Sequence, residues 1–299
     1  MEFGKVQADQ LAHIDFRLPD DPISNQEVLA HGKGNTQFYI GCARWGNKEW
    51  VGKYYPKGTK DKDFLSEYAK LFNCIELNAT YYGTPSLAQI SSWKEKAGDQ
   101  DFLFCPKLPQ VITHNNKLRN ATGMVSEFIY SMAGLGAHAG PVFVMPDPQM
   151  DVRERPVIEQ FITDFPEGVP LFLEVRHPSF YVNGYDEALY AFLKNKSKGT
   201  VITDTAGRRD CVHMHVSVPE VFIRFVGNAL HPTDYQRIDD WVQRLGQWMA
   251  MGIERVFFIV HQPDELYGPP LITYLMESLN SRYGTSLKAP QPLTPPTLF

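Results

Sequence analysis

Eight short apolar runs, separated by stretches with helical periodicity, limit most strongly what this chain of 299 residues can fold into. Each run is nearly continuous rather than alternating, which is typical of strands buried on both faces of a parallel sheet. Their starts lie roughly 20–40 residues apart, the length of one strand–loop–helix–loop unit. The runs are Phe38–Cys42, Cys74–Leu77, Phe102–Cys105, Pro141–Met145, Pro170–Val175, Thr200–Thr203, Val221–Val226 and Arg255–Val260.

Between the runs, apolar side chains recur at helical spacing, as Phe64, Tyr68 and Leu71 do at i, i+4 and i+7. The predicted helices are Asp63–Leu71, Ser86–Ala97, Arg155–Phe165, Asp186–Lys194, Asp234–Met251 and Pro269–Tyr283. Eight strands alternating with helices predict an α/β fold of the TIM-like (β/α)8 barrel type, with room for irregular strands. A doubly wound open sheet is the alternative, but the segment GCARWG after the first run lacks the G-x-G-x-x-G phosphate-binding pattern.

The apolar runs also divide the chain into three parts. Residues 1–36 precede the first run and read as an N-terminal extension, and residues 37–285 carry all eight strand–helix units. Residues 286–299 are rich in proline and are predicted to be an extended or disordered tail. The pattern does not indicate whether the extension closes the bottom of the barrel or covers its surface.

Charge and composition exclude several classes of protein. The formal net charge is −5, from 29 basic and 34 acidic residues, so a nucleic-acid partner is not expected. No apolar run reaches the roughly 18 residues of a membrane span, and residues 1–10 lack the apolar core of a secretion signal. The four cysteines form no C-x-x-C pair, which favours reduced thiols and a cytoplasmic location.

Functional side chains of such a barrel follow its strands, at the end where the carboxyl termini of the strands meet. We call this end the C-terminal mouth. On this basis the predicted catalytic residues are Glu76, Lys107, Glu174 and His177. The predicted substrate-binding residues are Arg44, Trp45, Asn78, Tyr81, His114, Arg176, Asp204 and Arg224.

Strand alternation predicts which of these side chains converge. Glu76 and Asn78 share one face of the second strand, and Glu174 and Arg176 share one face of the fifth. Val175 and His177 point to the opposite face. Burying charged groups inside apolar runs is costly unless they are paired. The cluster is therefore either a salt-bridge network that closes the barrel or a polar pocket that recognises a substrate, and we favour the pocket.

Four segments of the chain resemble motifs of the DUF72 (YecE-like) family, in the same order. FYIGCARWGNKEWVGKYYP is similar to the family's IGTSGWxYxxWxGxFYP, and IELNATYYGTPS is similar to EINSTFYRxPS. CPKLPQVITHNNKL is similar to VKxPxxITHxxRL, and LEVRHPSFY is similar to VEFRHPSW. The resemblance spans roughly residues 37–285 and implies a TIM-like barrel and a site, without implying a reaction. Its matching polar positions are Trp45, Glu76, Asn78, Tyr81, Lys107, His114, Glu174, Arg176, His177, Asp204 and Arg224.

The chain departs from this pattern at three strand ends. Arg224–Gly227 reads RFVG where members typically read R-L-H-G, so a histidine is lost from the seventh strand. Strand eight ends in His261–Asp264 (HQPD) rather than in an Asn/Asp-rich segment. Cys42–Arg44 replaces T-S-G, which adds a cation at the mouth.

The favoured hypothesis is an enzyme acting on a small anionic or polyhydroxylated, sugar-like substrate without a metal or a cofactor. Arginine suits bidentate contact with anions, so Arg44, Lys107, Arg176 and Arg224 would hold the substrate. Glu76 or Glu174 would act as general base, and His114 or His177 as general acid. Aromatic rings of Trp45, Tyr81 and Tyr82 would stack on the ligand.

Three alternatives stay open. A metal-dependent hydrolase, lyase or isomerase would use Glu76, Glu174, Asp204 and His261, although neighbouring cations oppose a metal. A lyase would form a Schiff base on Lys107, which requires a neutral amine. A ligand-binding protein would use the same pocket without catalysis. The alternating Cys211, His213 and His215 could suggest a metal site too, but a half-buried strand with outward polar residues is the more common cause.

Overall fold

The computed structural model of the chain describes residues 3–30, 32 and 35–293. Within them, eight parallel strands in the order β3-β2-β1-β8-β7-β6-β5-β4 form a nearly closed barrel with helices between the strands. Each strand overlaps its predicted run, and the predicted TIM-like barrel is confirmed. The strands are β1 Gln37–Cys42, β2 Cys74–Leu77, β3 Leu103–Pro106, β4 Val142–Val144, β5 Leu171–Leu173, β6 Gly199–Asp204, β7 Glu220–Val226 and β8 Arg255–His261.

The barrel is irregular at one seam, between β3 and β4. These two strands share no ladder, and isolated bridges join Phe104 to Ala139 and Lys107 to Phe143. The backbone N–H of Leu108 donates to the Phe143 carbonyl at 3.0 Å across the seam. The seam matters for the site because it opens beside Lys107, at the C-terminal mouth.

All six predicted helices are present, and two more were missed. The helices are α1 Ser24–Leu29, α2 Phe64–Leu71, α3 Leu87–Ala97, α4 Thr122–Ala133, α5 Arg155–Asp164, α6 Glu187–Asn195, α7 Pro232–Met251 and α8 Gly268–Tyr283. The helices without a sequence-based prediction are α1 and α4. In α4 the side chains Val125, Phe128 and Met132 are buried at i, i+3 and i+7, a helical spacing that was present in the sequence.

Alternation along the strands builds two apolar layers. Inward side chains such as Phe222, Phe257 and Ile259 fill the barrel interior together with Phe143 and Phe172. Outward side chains of the same strands, among them Ile223 and Phe258, pack against the helices in the outer core. Both faces of every strand are therefore buried, which explains why the apolar runs are continuous.

The described part of the N-terminal extension runs from the C-terminal mouth down the outside of the barrel. Gly4 lies over the loop after β6, where its carbonyl accepts from Gly207 N at 2.7 Å. Farther along, Asp21 accepts from Arg244 Nη1 at 2.6 Å and from Trp248 Nε1 at 2.8 Å, both on α7. The extension therefore lies over one edge of the mouth, at the loop after β6, and along one side of the barrel.

The described part of the tail lies against α8. Thr273 Oγ1 donates to the Pro290 carbonyl at 2.8 Å, and Asn280 Nδ2 donates to the Leu287 carbonyl at 2.9 Å. Residues 294–299 of the predicted tail, and residues 1–2, 31 and 33–34 of the extension, lie outside the described residues. None of the helices in the described ranges is long and apolar enough to cross a membrane.

Candidate functional site at the C-terminal mouth

A polar layer lies directly above the apolar interior of the barrel, and strand alternation places it there. On β2 the inward position after Cys74 is Glu76, and on β7 the inward position after Phe222 is Arg224. His261 follows Ile259 on β8 in the same way. These side chains are buried, so each charge must be balanced by neighbours in the same layer.

Arg224 is the centre of this layer and binds two carboxylates at once. Its Nε and Nη2 donate to the two oxygens of Glu76 at 2.8 and 2.9 Å, in a bidentate arrangement. Its Nη1 donates to Glu174 Oε2 at 2.7 Å. Glu76, Glu174 and Arg224 are at most 3% exposed. They form the salt-bridge network that the sequence analysis left as one of its two interpretations.

Both glutamates of the network are held ionised. Burial opposes ionisation of Glu76, but the charges of Arg224 and His261 outweigh it and hold its pKa well below the usual value. For Glu174 burial is likewise outweighed, by Arg176 and Arg224, and its pKa falls to about 2. Carboxylates with such low pKa values are weak bases, so the network is suited to holding Arg224 in place rather than to accepting protons.

Arg176 extends the network toward solvent. Its Nε donates to Glu174 Oε1 at 2.7 Å. The guanidinium carbon lies 4.0 Å from the ring centroid of Phe3, a cation–π contact with the N-terminal extension. The backbone carbonyl of Arg176 accepts from Arg208 Nη1 at 2.8 Å. The extension thus lies over one of the cations of the mouth.

Lys107 stands in the same layer but outside the salt-bridge network. Its Nζ lies 4.3 Å from the ring centroid of Tyr81 and 5.5 Å from that of Phe143. Burial and the nearby charge of Arg224 lower its pKa to about 8. His114 contacts the same Tyr81 ring edge-on at 5.4 Å, and burial lowers its pKa as well. The amine is therefore a group that can gain or lose a proton near neutral pH.

These groups border one open cavity of about 570 Å³, which we call the mouth pocket. Seven predicted site residues line it: Arg44, Trp45, Glu76, Asn78, Lys107, Arg176 and Arg224. Asn78 Nδ2 donates to Glu76 Oε1 at 2.9 Å, so the amide is held by the network. Three more predicted residues lie next to the lining. Glu174 binds Arg224, the Tyr81 ring contacts Lys107, and His114 contacts the Tyr81 ring.

Two predicted site residues lie elsewhere. Asp204 faces α7, where Arg237 and Trp241 bind its carboxylate, because the inward positions of β6 are Val201 and Thr203. His177 continues the outward face of Val175 and accepts from Ser179 N at 3.3 Å, which caps a short 3-10 helix. The structure does not bring either side chain to the mouth pocket.

The histidines that follow Cys211 are buried rather than solvent-facing. Residues 212–216 form no strand, and His213 stacks on Tyr185 with ring centroids 4.2 Å apart. His213 Nε2 bonds to the Val201 carbonyl at 3.1 Å, and burial lowers the pKa of His213 to about 3. The interpretation of this segment as a half-buried strand with outward polar residues is wrong. Both imidazole rings pack against tyrosines, and each has a ring nitrogen within hydrogen-bond distance of a backbone carbonyl.

The donor arrangement does not suit the predicted metal alternative. Within the described ranges, no group of three or more His, Cys, Asp or Glu side chains is placed to hold a metal ion. Of the proposed set, Asp204 faces α7, and Glu76 and Glu174 are both bonded to Arg224. His261 Nε2 lies 3.1 Å from Glu76 Oε2 and so belongs to the salt-bridge network.

Sequence reasoning missed two neighbours of the pocket. Glu265 follows β8 and lines the cavity, and burial raises its pKa. Glu265 lies four residues after the end of β8, beyond His261 and Gln262, the positions at which a strand-end side chain is expected. Phe3 covers Arg176 from the extension, and no pattern in residues 1–36 could have indicated that contact.

Comparison with known proteins identifies the same family as the four sequence motifs. The model of a family described as "Protein of unknown function DUF72" matches residues 39–296. The UPF0759 protein YecE of Escherichia coli K12 is 30% identical over 260 residues, which are 81% of this chain and 92% of that protein.

Solved structures agree at the level of the fold. A DUF72 family protein of Enterococcus faecalis V583 superposes with a TM-score of 0.64 at 17% identity, covering 84% of this chain and 98% of that one. A DUF72 family protein of Thermotoga maritima MSB8 gives 0.62 at 19% identity, covering 83% and 100%. At these identities the likeness shows a shared barrel and carries no information on chemistry.

Proposed function

Because the chain belongs to the DUF72 family, as its four motifs predicted, and that family is described as of unknown function, we propose a function from the mouth pocket itself. The protein is an enzyme that acts on a small anionic or polyhydroxylated substrate. The observation that carries the proposal is that four cations, Arg44, Lys107, Arg176 and Arg224, border one cavity at the C-terminal mouth. This is the end of such barrels at which substrates bind.

The charge of the pocket supports an anionic ligand. Glu76 and Glu174 neutralise Arg224 and Arg176 through direct ion pairs. Arg44 is exposed at the rim and makes no such pair among the described residues, although its charge acts on Glu265, which lines the same pocket. Arginine at a pocket rim is suited to bidentate contact with a carboxylate or a phosphate. The acidic total of the chain therefore coexists with a pocket that favours anions.

We assign proton transfer in this pocket to Lys107. The glutamates predicted as general bases are ion-paired and have low pKa values, and His177 lies outside the pocket. The amine of Lys107, with its pKa lowered to about 8, matches the range in which general acid–base groups work best. His114, in contact with the same Tyr81 ring, is the second candidate for moving a proton.

We further propose a cytoplasmic location and a small-molecule partner. All four cysteines are free and buried, which suits a reducing compartment. The net charge of −5 disfavours a nucleic-acid partner.

The test uses thermal shift and calorimetry to measure the binding of four compounds. These are inorganic phosphate, glucose 6-phosphate, glucose and magnesium chloride. We expect phosphate or glucose 6-phosphate to raise the melting temperature, because a ligand that binds the folded state stabilises it. Arg44→Gln should weaken that binding about tenfold or more, since one charge-assisted hydrogen bond contributes about 1.5–3 kcal/mol.

Arg282→Gln is the matched control, since Arg282 is exposed near the C-terminal end of α8, away from the pocket. It should leave anion binding unchanged. Stabilisation by magnesium alone would contradict the proposal and favour the metal-dependent alternative. Binding without turnover of any bound sugar phosphate or carboxylate would favour the ligand-binding alternative.

A further inference from the structure

We propose that Lys107 is a covalent nucleophile, whose Nζ forms an imine with an aldehyde or ketone that also carries a phosphate or a carboxylate. The inference rests on the proposed function and adds to it the class of substrate, a carbonyl compound with an anionic group. It gives Lys107 a bond-forming role in addition to proton transfer.

The immediate surroundings of the amine carry the inference. Lys107 is 8% exposed, and its Nζ lies against the faces of two aromatic rings, Tyr81 and Phe143. Among the described residues, no carboxylate lies within ion-pair distance of Nζ, although Glu76 and Glu265 line the pocket and Glu174 binds its Arg176 and Arg224. Glu76 binds Arg224, and Glu174 binds both Arg224 and Arg176 instead. A lysine that only balanced charge would be paired with one of them.

Burial is the main cause that favours the neutral amine, and the charges of Arg224 and Arg176 add to it, whereas those of Glu76 and Glu174 oppose it. The guanidinium of Arg224 lies 5.0 Å from the centroid of the same Phe143 ring that Lys107 contacts at 5.5 Å. Two cations on one ring repel each other, and only the lysine can lose its proton at accessible pH. Desolvation of a lysine beside another cationic group is a recognised way to activate it for imine chemistry.

The position of the amine in the pocket suits a bifunctional ligand. Lys107 lies in the polar layer above the apolar interior, whereas Arg44 is exposed at the rim of the same 570 Å³ cavity. A phosphate or carboxylate bound at Arg44 would therefore leave the carbonyl end of a short molecule directed inward, toward Nζ. The seam between β3 and β4 leaves the lysine without a full strand partner on one side.

The proposed step balances without an external oxidant or reductant. The lone pair of the neutral amine attacks the carbonyl carbon, a C–N bond forms, and the C=O π pair moves to oxygen. A proton passes from nitrogen to that oxygen to give a carbinolamine. Loss of water then gives the imine, and addition of water reverses the sequence.

The probe for this step is pyridoxal 5′-phosphate, an aromatic aldehyde with a phosphate, with pyridoxal as the matched neutral aldehyde. The intact protein would be incubated with each at pH 7.5, reduced with borohydride and mapped by peptide mass spectrometry. We expect Lys107 to be the dominant labelled lysine. With its pKa lowered to about 8, its neutral fraction at pH 7.5 exceeds that of an ordinary lysine about 200-fold.

Three comparisons make the outcome decisive. Lys107→Arg should remove the dominant label, Arg44→Gln should slow it about tenfold, and pyridoxal should react more slowly than its phosphate. Labelling spread evenly over exposed lysines in the unaltered protein would overturn the inference, and this map needs no variant to fold. If phosphate binds the pocket but Lys107 stays unlabelled, the imine is wrong and the proposed anion site stands. If neither occurs, both fail.

Discussion

Replacing Arg224 with methionine is expected to destabilise the protein by about 3–5 kcal/mol, one of the two largest effects predicted for a single residue of the chain. The substitution keeps a long apolar stem but leaves Glu76 and Glu174 buried without the cation that both of them bind. Two uncompensated carboxylates in a buried layer are costly, and they would take up protons instead. Chemical denaturation at pH 7 measures the loss directly.

Arg17→Met is the matched control, because Arg17 also pairs with a carboxylate, that of Asp15, but its side chain is 86% exposed. An exposed pair contributes at most about 1 kcal/mol, so this variant should be nearly as stable as the unaltered protein. Adding Glu76→Gln and Glu174→Gln to Arg224→Met should recover part of the loss. If Arg224→Met costs no more than Arg17→Met, the salt-bridge network does not have the structural role assigned to it.

Asp204→Asn is expected to destabilise the protein by a similar amount, about 3–5 kcal/mol, while leaving anion binding in the mouth pocket intact. The carboxylate is fully buried, accepts from Trp241 Nε1 at 2.7 Å and pairs with Arg237 Nη2 at 2.8 Å. It also pairs with Arg209. The neutral amide would leave the buried Arg237 guanidinium with Asp234 as its one anionic partner among the described residues, at 3.5 Å from Nη1.

The control for Asp204→Asn is Asp99→Asn, the same chemical change on an exposed turn residue after α3. It should alter the free energy of unfolding by less than about 0.5 kcal/mol. Phosphate affinity, measured by calorimetry below the unfolding transition, should be the same in both variants. A large loss of affinity in Asp204→Asn with little loss of stability would instead return Asp204 to the substrate site, as the sequence analysis first placed it.

Strand alternation explains which parts of the site could be predicted. It placed Glu76 with Asn78 and Glu174 with Arg176, and the four side chains do meet around Arg224. The same rule applied to β6 would have turned Asp204 outward, because Thr203 occupies the inward position. His177 likewise lies on the outward face of its segment, although it follows a strand end. Position after a strand is a weaker guide than the face of the strand.

Other features depend on contacts between distant segments, and sequence periodicity carries no record of them. Phe3 reaches Arg176 across more than half of the chain, and Lys107 is enclosed by Tyr81, from the segment after β2, and by Phe143 of β4. The sequence also does not indicate whether Glu76 and Glu174 pair with Lys107 or with Arg224, because this depends on small differences in distance between side chains at the mouth. That choice determines whether the lysine is a structural cation or a reactive amine.

The most direct test of the central claim, that Lys107 is a reactive amine in an anion-binding pocket, is competitive acetylation with acetic anhydride from pH 6 to 11. Mass spectrometry would follow Lys107 beside the exposed Lys57, with and without inorganic phosphate. The structure predicts a midpoint for Lys107 at about pH 8, because burial and Arg224 lower its pKa, and slower labelling of Lys107 alone when phosphate is present. A midpoint for Lys107 near the ordinary lysine value of about 10.4, with no protection by phosphate, would contradict it.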